Sequence, residues 1–414
     1  MPTEKFKGPL TGVRVVDLSQ AAAGPYGSML LGDLGAEIIK IESHEGDLDR
    51  RMAGPNHKGE PYYHLAVNRN KKSVILNLRT KTGKEAFYDL VKVSDVVWDN
   101  FRAGATKRLG IDFETLKKIN PRIICCSLTG FGTSGPMRDR PSFDIIGLAV
   151  SGILSITGEP GRTPVRPGPP LGDEALGVFG VIGTLSALYH REQTGKGQQV
   201  DVSMLDSCLS LMVFNLVHYL CGGPVLGREG SHHLSVVPYG VFATKKGYIT
   251  LGPCWPRIAR VMGADWMIDD PRFATPALRL KNRDLLEGTI QEHLLQGEAK
   301  DWLELMIVED IPAAIVNDES QVVTEPQVLN NKMLLTLKHP LGGEVKTIGN
   351  PVKMPGLIDE ESYEEGYTAA PTLGQHQYEV LRGVLGYSEE KIQKLMAEEE
   401  SHREQLSVSL HKKM

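Results

Sequence analysis

Cysteine is scarce in this chain of 414 residues. The five present (Cys125, Cys126, Cys208, Cys221, Cys254) are odd in number and never spaced CxxC. A disulfide framework and a thiolate zinc site are therefore not expected, and a reducing, cytoplasmic setting is. His232-His233 and Asp269-Asp270 lack partners at metal-ligand spacing, so no metal is expected. An excess of positive charge is also lacking. The net charge of −5 argues against a broad nucleic-acid surface. Long apolar runs are missing too. The start, MPTEKFKGPL, has no continuous apolar core of a signal peptide, and the longest uncharged helical run, Ala175 to Tyr189, falls short of the roughly 20 residues of a membrane span. The expectation is a soluble cytoplasmic protein that engages neither membrane nor nucleic acid. Two catalytic signatures are absent as well. The turn Ala21-Ala22-Ala23-Gly24-Pro25-Tyr26-Gly27 is neither GxGxxG nor a Walker A loop, and Ser127, Ser134 and Ser142 lack a GxSxG context.

What is abundant is glycine and proline, 44 and 25 residues, about one residue in six against a usual share of about 12%. The length suggests two to three domains with sizeable cores. Through residue 130 short apolar runs alternate with helical segments: Val13–Leu18, Ala36–Glu42, Ser73–Leu78, Asp95–Asp99 and Arg122–Leu128 read as strands, and Lys81–Lys92 and Phe113–Ile119 as helices. That alternation predicts parallel βαβ units and an open α/β sheet. Helices are then expected over Phe143–Ile156, Glu174–Gln193 and Met204–Cys221, with a Gly-rich linker or mobile loop from Gly222 to Pro238. A smaller α/β unit follows, with a strand at Tyr248–Leu251 and helices near Arg283–Leu295 and Lys300–Val308. The charged helix Ser388–Glu400 reads as a solvated face.

The most informative local feature is GPPLGDEALG, residues 168–177. Asp173 stands between a Pro/Gly loop and an apolar helix. On spacing alone it is either an N-cap, or a carboxylate on a Gly-lined loop that a substrate can approach and that can act as a covalent nucleophile. Basic residues cluster at Arg69-Asn70-Lys71-Lys72 and at Lys107-Arg108. Each cluster is either solvated surface or a source of charge-assisted donors for a phosphorylated ligand.

In order along the chain, LTGVRVVDLSQAAAGPYGSMLLGDLGAEIIKIE, NRNKKSVILNL, DNFRAGATKRLGID, INPRIICCSLTGFGTSGP, GPPLGDEALG and TGKGQQVDVSMLDS resemble family III CoA transferases. The resemblance runs over residues 8 to about 215 and returns more weakly at CWPRIARVMG, DDPRF, GNPVKMPG and PTLGQHQYEVL. It implies an α/β fold: a large Rossmann-like open-sheet domain (1–221 and 327–414, completed by the C-terminal segment), a smaller inserted α/β domain (222–326) and an interlocked homodimer. It implies acyl-CoA and a carboxylic acid as substrates with no permanently bound cofactor. Asp173 matches the aspartate that attacks the acyl thioester. Asn70, Lys71, Lys72, Asn100, Phe101 and Arg108 match segments around the CoA nucleotide. Ala21 and Ala22 match positions lining the site, and Ala22 stands where formyl-CoA transferase carries glutamine, against a formyl/oxalate pair. Gly172, together with Gly222 and Gly223 of a candidate lid, completes the proposed substrate and oxyanion loop. The superfamily also holds α-methylacyl-CoA racemases, whose proton-transferring histidine falls at Phe143 here, so racemase chemistry is disfavoured. A non-catalytic acyl-CoA-binding subunit would be expected to lose Asp173, which is intact. The resulting expectation is CoA transfer from a short acyl-CoA, such as succinyl-CoA, through an aspartyl anhydride and an aspartyl-CoA thioester.

Overall fold

The computed structural model describes residues 8–354 and 366–411. The first seven residues, and Pro355-Gly356 at the end of GNPVKMPG, lie outside the described residues. The chain folds as two compact units. The first gathers Met1–Ser151, Gly168–Val217 and Asn330–Met414, and the second Gly152–Pro167 and His218–Leu329. The domain boundary expected from sequence is thereby corrected at 152–167, which joins the second unit rather than the first. The cause is local. Gly230 N–H donates to the Gly158 carbonyl at 3.0 Å, and the Arg228 guanidinium reaches the Glu159 and Ser155 carbonyls.

In the first unit, apolar runs too short for helices become six parallel strands: β1 (Arg14–Asp17), β2 (Glu37–Glu42), β3 (Lys71–Ile75), β4 (Val96–Asp99), β5 (Ile124–Thr129) and β6 (Gln199–Ser203). Their spatial order is β3-β2-β1-β4-β5-β6. The register runs Val15↔Ile38 on one side of β1 and Val15↔Val96 on the other. Strand order reverses between β1 and β4, and in such sheets the loops at the carboxyl ends of these two strands form the natural crevice for a ligand. The sixth strand carries little sequence signal, because QVDVS follows a Gly-rich turn and is only partly buried.

Helix α1 (Ala23–Asp33) follows β1, and α2 (Lys81–Lys92) precedes β4. After β5 come α3 (Asp144–Val150), the long α4 (Leu171–Thr194) and, beyond β6, α5 (Met204–Leu211). The single helix expected over Phe143–Ile156 ends at Val150, because Gly152 adopts φ 90°. Trp98 on β4 determines how α1 and α4 sit. Its indole N–H donates to the Gly24 carbonyl at 2.9 Å, and a Cβ on Gly27 or Gly180 would lie 2.5 or 2.7 Å from its ring. By length and composition α4 is apolar enough to cross a membrane. Here Gly177 and Gly180 seat it against α1 and the sheet, as in a core helix.

The opposite sheet face packs Val16, Ile39, Val74 and Val97 against Phe87, Leu90 and Leu116, and the C-terminal segment adds Val380, Leu381 and Ile392. That segment also covers the free edge of β3. The Gln377 amide accepts from Ile75 N–H and donates to the Ile75 carbonyl at 2.8 and 3.1 Å, which satisfies backbone groups an edge strand would otherwise expose. The charged C-terminal helix α8 (Glu389–His411) is not a solvated face throughout. Glu399 is buried, bonded to His44 and to Asn77 N–H.

The second unit is a three-stranded antiparallel sheet of β7 (Gly240–Ala243), β8 (Tyr248–Leu251) and β9 (Ala313–Ile315), with β8 central. Helices α6 (Arg283–Leu294) and α7 (Ala299–Val308) contribute Leu286, Ile290, Leu294 and Met306 to a core around Phe242 and Ile249.

Candidate active site

The turn from β1 into α1 is held from below by a buried polar network. Asp17 accepts from Ser19 N–H and hydroxyl and from the Ser28 hydroxyl. Lys40, fully buried, donates to Asp47 at 2.6 Å and to the Ser19 carbonyl at 2.8 Å. Although burial opposes it, the surrounding carboxylates of Asp17 and Asp47 keep the Lys40 ammonium charged, with its pKa raised. Asp47 in turn accepts from Ala21 N–H at 2.8 Å. On the other side, the Asn100 amide both accepts from Gln20 N–H and donates to the Gln20 carbonyl, at 2.9 and 2.7 Å. These clamps hold Ala21 at φ 63°, a left-handed conformation that costs an alanine on the order of 1 kcal/mol. Ala22 is buried at the cap of α1.

Asp173 does not cap α4. The cap position is Pro170, without a side-chain bond, and Asp173 is the third helical residue. The capping is done from a distance, by Asp144 at the start of α3, whose Oδ1 accepts from Gly172 N–H at 2.8 Å and from Asp173 N–H at 3.4 Å. This satisfies two free donors of the first turn and leaves the Asp173 carboxylate unused for capping. Gly172 is needed at that spot, since a Cβ there would sit 3.1 Å from Asp144 Oδ1 and 3.3 Å from Cys208 Sγ. Burial, aided by the charges of Asp144 and Glu174, pushes the Asp173 carboxyl up to about 7. Tyr63 belongs to the same group. Burial, then the charges of Asp173 and Asp144, raise its phenol to about 12, so it stays a neutral O–H donor beside the carboxylates. Neither Asp144 nor Tyr63 is marked as a site residue by its local sequence. Asp144 follows the Phe143 position already singled out, but nothing in PYYHL marks Tyr63.

Four residues matched to the CoA nucleotide are engaged inside the fold. Lys71 is buried, its ammonium bonded to the Pro25 carbonyl, to Asn68 and to Asp17 at 2.8, 2.9 and 3.2 Å, and burial lowers it to about 8. All three of its N–H donors are used, so a direct ligand contact by its side chain is ruled out, because alternation along β3 turns it inward. Lys72 faces the other way and pairs with Glu37 and Glu379. Asn70, at φ 62°, donates to Asp33 and accepts from Thr368 N–H. Asn100 clamps Gln20, as described. Phe101 is half-buried against the core and Arg108 is exposed. Gly222 and Gly223 fall in the second unit. Gly222 has φ 94°, whereas Gly223 lies so close to the His218 ring that a Cβ would come within 2.4 Å. The loop to His233 is tied down at Arg228, at Glu229 by Arg283 (2.8 Å), and at His232 by Glu287 (2.9 Å). Among the described residues no three His, Cys, Asp or Glu side chains come together to hold a metal.

Comparison with known proteins bears on this arrangement. The model of CoA-transferase family III matches residues 10–377. The chain is 34% identical over 394 residues to human succinyl-CoA:glutarate CoA-transferase, covering 94% of this chain and 89% of that one. It is 37% identical over 360 residues to acetyl-CoA:oxalate CoA-transferase of Acetobacter aceti, covering 86% and 91%. The crystal structure of a CAIB/BAIF family protein from Brucella suis superimposes with a TM-score of 0.82 at 32% identity, covering 92% of this chain and all of that one. The parallel-sheet fold is thus shared with a solved relative, and the chain belongs to CoA-transferase family III as an acyl-CoA:carboxylate CoA-transferase.

Proposed function

We propose that this enzyme moves CoA from a short acyl-CoA, with succinyl-CoA the first choice, to a free carboxylic acid, and that Asp173 is the nucleophile. The observation that carries the proposal is the state of the Asp173 carboxyl. It is relieved of capping by Asp144, and burial raises its pKa to about 7, which makes the carboxylate more basic than an ordinary aspartate while leaving about half of it ionised at neutral pH.

The Asp173 carboxylate adds to the thioester carbonyl and expels CoA thiolate, giving an acyl-aspartyl anhydride. The thiolate returns to the aspartyl carbonyl, releasing the donor acid and leaving an aspartyl-CoA thioester. The acceptor carboxylate then attacks that thioester, and thiolate attack on the acyl carbonyl of the new anhydride releases product acyl-CoA and free Asp173. Each step exchanges one activated acyl bond for another, so the thioester energy is carried through without ATP. Tyr63 O–H is suited to hydrogen-bond an oxygen that gains charge beside Asp173. Phe143, which has no titratable group, supports transfer over two-base racemisation.

The choice of acyl groups draws on the small Ala22 wall and on relatives that act on succinyl-CoA with glutarate and on acetyl-CoA with oxalate. A homodimer is part of the proposal. The first unit exposes the large apolar side chains of Phe143, Ile145, Ile146, Ile182, Val213 and Phe214, the kind of surface that a partner subunit covers. A reducing cytoplasm suits five free thiols, four of them buried. The test is exchange of labelled succinate, glutarate and monocarboxylates into acyl-CoA. Asp173→Ala is expected to abolish exchange and hydroxylamine trapping of the enzyme thioester, and substantial exchange by that variant would overturn the assignment.

A further inference from the structure

Two histidines meet at a turn near the end of the first unit. The turn closes the hairpin of Leu334–His339 and Gly343–Ile348, in which His339 pairs with Gly343. Strand alternation points Lys338 outward and His339 inward, where it is only 3% exposed. His339 Nδ1 accepts from Leu341 N–H at 3.2 Å and from Gly342 N–H at 2.9 Å. The Gly342 carbonyl in turn accepts from His57 Nε2 at 2.9 Å. Gly342 lies tightly between the two rings: a Cβ there would be 3.2 Å from the His57 ring, 3.3 Å from His339 Nδ1 and 3.4 Å from a Val345 methyl.

From this turn two contacts lead to the helix Tyr62–Val67. His57 belongs to the short hairpin of Asn56–His57 and Glu60–Pro61, which runs directly into that helix. Val345, beside Gly342, packs with Leu65 of the helix and with Ala370 in one buried cluster. A further tie comes from His64, whose ring bonds Asp49 and the Pro371 carbonyl, each at 3.1 Å. Tyr63 lies on the same helix, and its phenol feels the charges of Asp173 and Asp144. The 339–342 turn is therefore joined by packed side chains to the residue that stands beside the nucleophile.

The protonation state of His339 decides whether that turn closes. A ring nitrogen that accepts two N–H groups aims its lone pair at them, so the ring proton sits on Nε2. Nε2 is buried, and among the described residues nothing accepts from it. A second proton would have to enter at Nδ1, where it faces two N–H groups and breaks both backbone bonds. Burial chiefly opposes the cation; Glu60 favours it, and His64, Arg50 and His57 add to the opposition, so the His339 pKa lies below its ordinary 6.5. Lys58 faces the same turn, its Nζ 3.1 Å from a Cβ placed on Gly343. Below pH 6.5 an opened turn takes up a proton that the closed turn refuses, so closure weakens as the pH falls toward the folded value. We propose that His339 is a positioning residue for CoA transfer: its neutral ring closes the 339–342 turn and so keeps Tyr63 beside Asp173, and its protonation in mildly acid solution releases the Tyr62–Val67 helix. The proposal rests on the roles assigned above to Tyr63 and Asp173, while the release itself is read without catalysis.

The test is amide hydrogen exchange of the full chain at about pH 7.5 and about pH 5, expressed as protection factors so that the intrinsic pH dependence cancels. Protection of the Tyr62–Val67 helix and of Leu341 and Gly342 is expected to fall at least about threefold at the lower pH. His339→Asn sets an amide oxygen where Nδ1 accepts and takes up no proton, so its protection is expected to hold. In kinetics, each enzyme normalised to its own plateau, the acid limb of kcat should approach about two protons per pH unit in wild type and about one in His339→Asn. Equal loss of protection in the two proteins, or a wild-type limb no steeper than that of the variant, would overturn the proposal. Imidazole C2–H exchange in the wild type needs no variant, and His339 titrating at or above 6.5 would overturn it as well. The protection result stands whatever Asp173→Ala does to exchange of CoA, so failure of the nucleophile assignment is told apart from failure of this one.

Discussion

Replacing Asp173 by Asn should make the protein more stable as well as inactive, and the two effects have one cause. The folded carboxyl titrates near 7 rather than at its ordinary 3.8, with burial the leading reason and Asp144 and Glu174 adding to it. Below pH 3.8 both the folded and unfolded chains hold the proton, and the site costs nothing. Between 3.8 and 7 the unfolded chain releases the proton while the folded one keeps it, so folding loses about 1.4 kcal/mol for each pH unit. Above 7 both are ionised and the loss is constant. The full interval sets a ceiling of about 4 kcal/mol, and partial solvent access to the carboxyl reduces it to about 2 kcal/mol. The isosteric amide introduced by Asp173→Asn escapes this cost and can donate to Asp144 as well. Asp173→Asn should therefore exceed wild type by about 2 kcal/mol at about pH 8.5, with the gap falling below about 1 kcal/mol at about pH 5. Paired urea titrations at the two pH values measure this, with CoA exchange assayed on the same samples. Equal stability at the higher pH, or a gap that does not shrink toward the lower one, would refute the claim that the fold strains this carboxylate.

Asp144→Asn removes the nearest negative neighbour of Asp173, so the acid limb of kcat/KM should move to lower pH; a pH profile with its limb unmoved would show that Asp144 serves only as the remote cap of α4. Gly177→Ala places a Cβ 2.7 Å from the Ala23 carbonyl oxygen, and forcing α1 and α4 apart should cost about 1–3 kcal/mol in a denaturant titration. Lys71→Met removes the cation bonded directly to the buried Asp17 carboxylate, leaving it the charge of Lys40 alone, and should lower stability by about 3 kcal/mol. At a temperature where the variant stays folded, KM for acyl-CoA should remain near wild type, because the lysine has no donor to offer a ligand.

How much of this was legible in the sequence depends on whether a residue's job is set by its neighbours in the chain or by its neighbours in space. The βαβ rhythm of Val13–Leu18, Ala36–Glu42 and Asp95–Asp99 is local, and it led to the parallel sheet. QVDVS, an edge strand with a half-exposed pattern, carries too weak a local signal and was missed. The basic run Arg69 to Lys72 shows the limit most clearly. In sequence it is an exposed-looking cluster of donors. In the fold Arg69 pairs with Asp33 and Lys71 with Asp17, partners 36 and 54 residues earlier, and Lys72 reaches Glu37. Burial of those lysines is decided by strand alternation together with distant acids, and neither can be read from four consecutive letters. The same reasoning explains Asp173. Spacing placed it at a helix start, where an aspartate ordinarily caps. What frees it for chemistry is Asp144, 29 residues away, which takes over the two N–H groups. A helix end capped from outside leaves its own first-turn carboxylate buried and without its usual partner. That is why a residue whose local pattern reads as structural has a titration suited to a nucleophile.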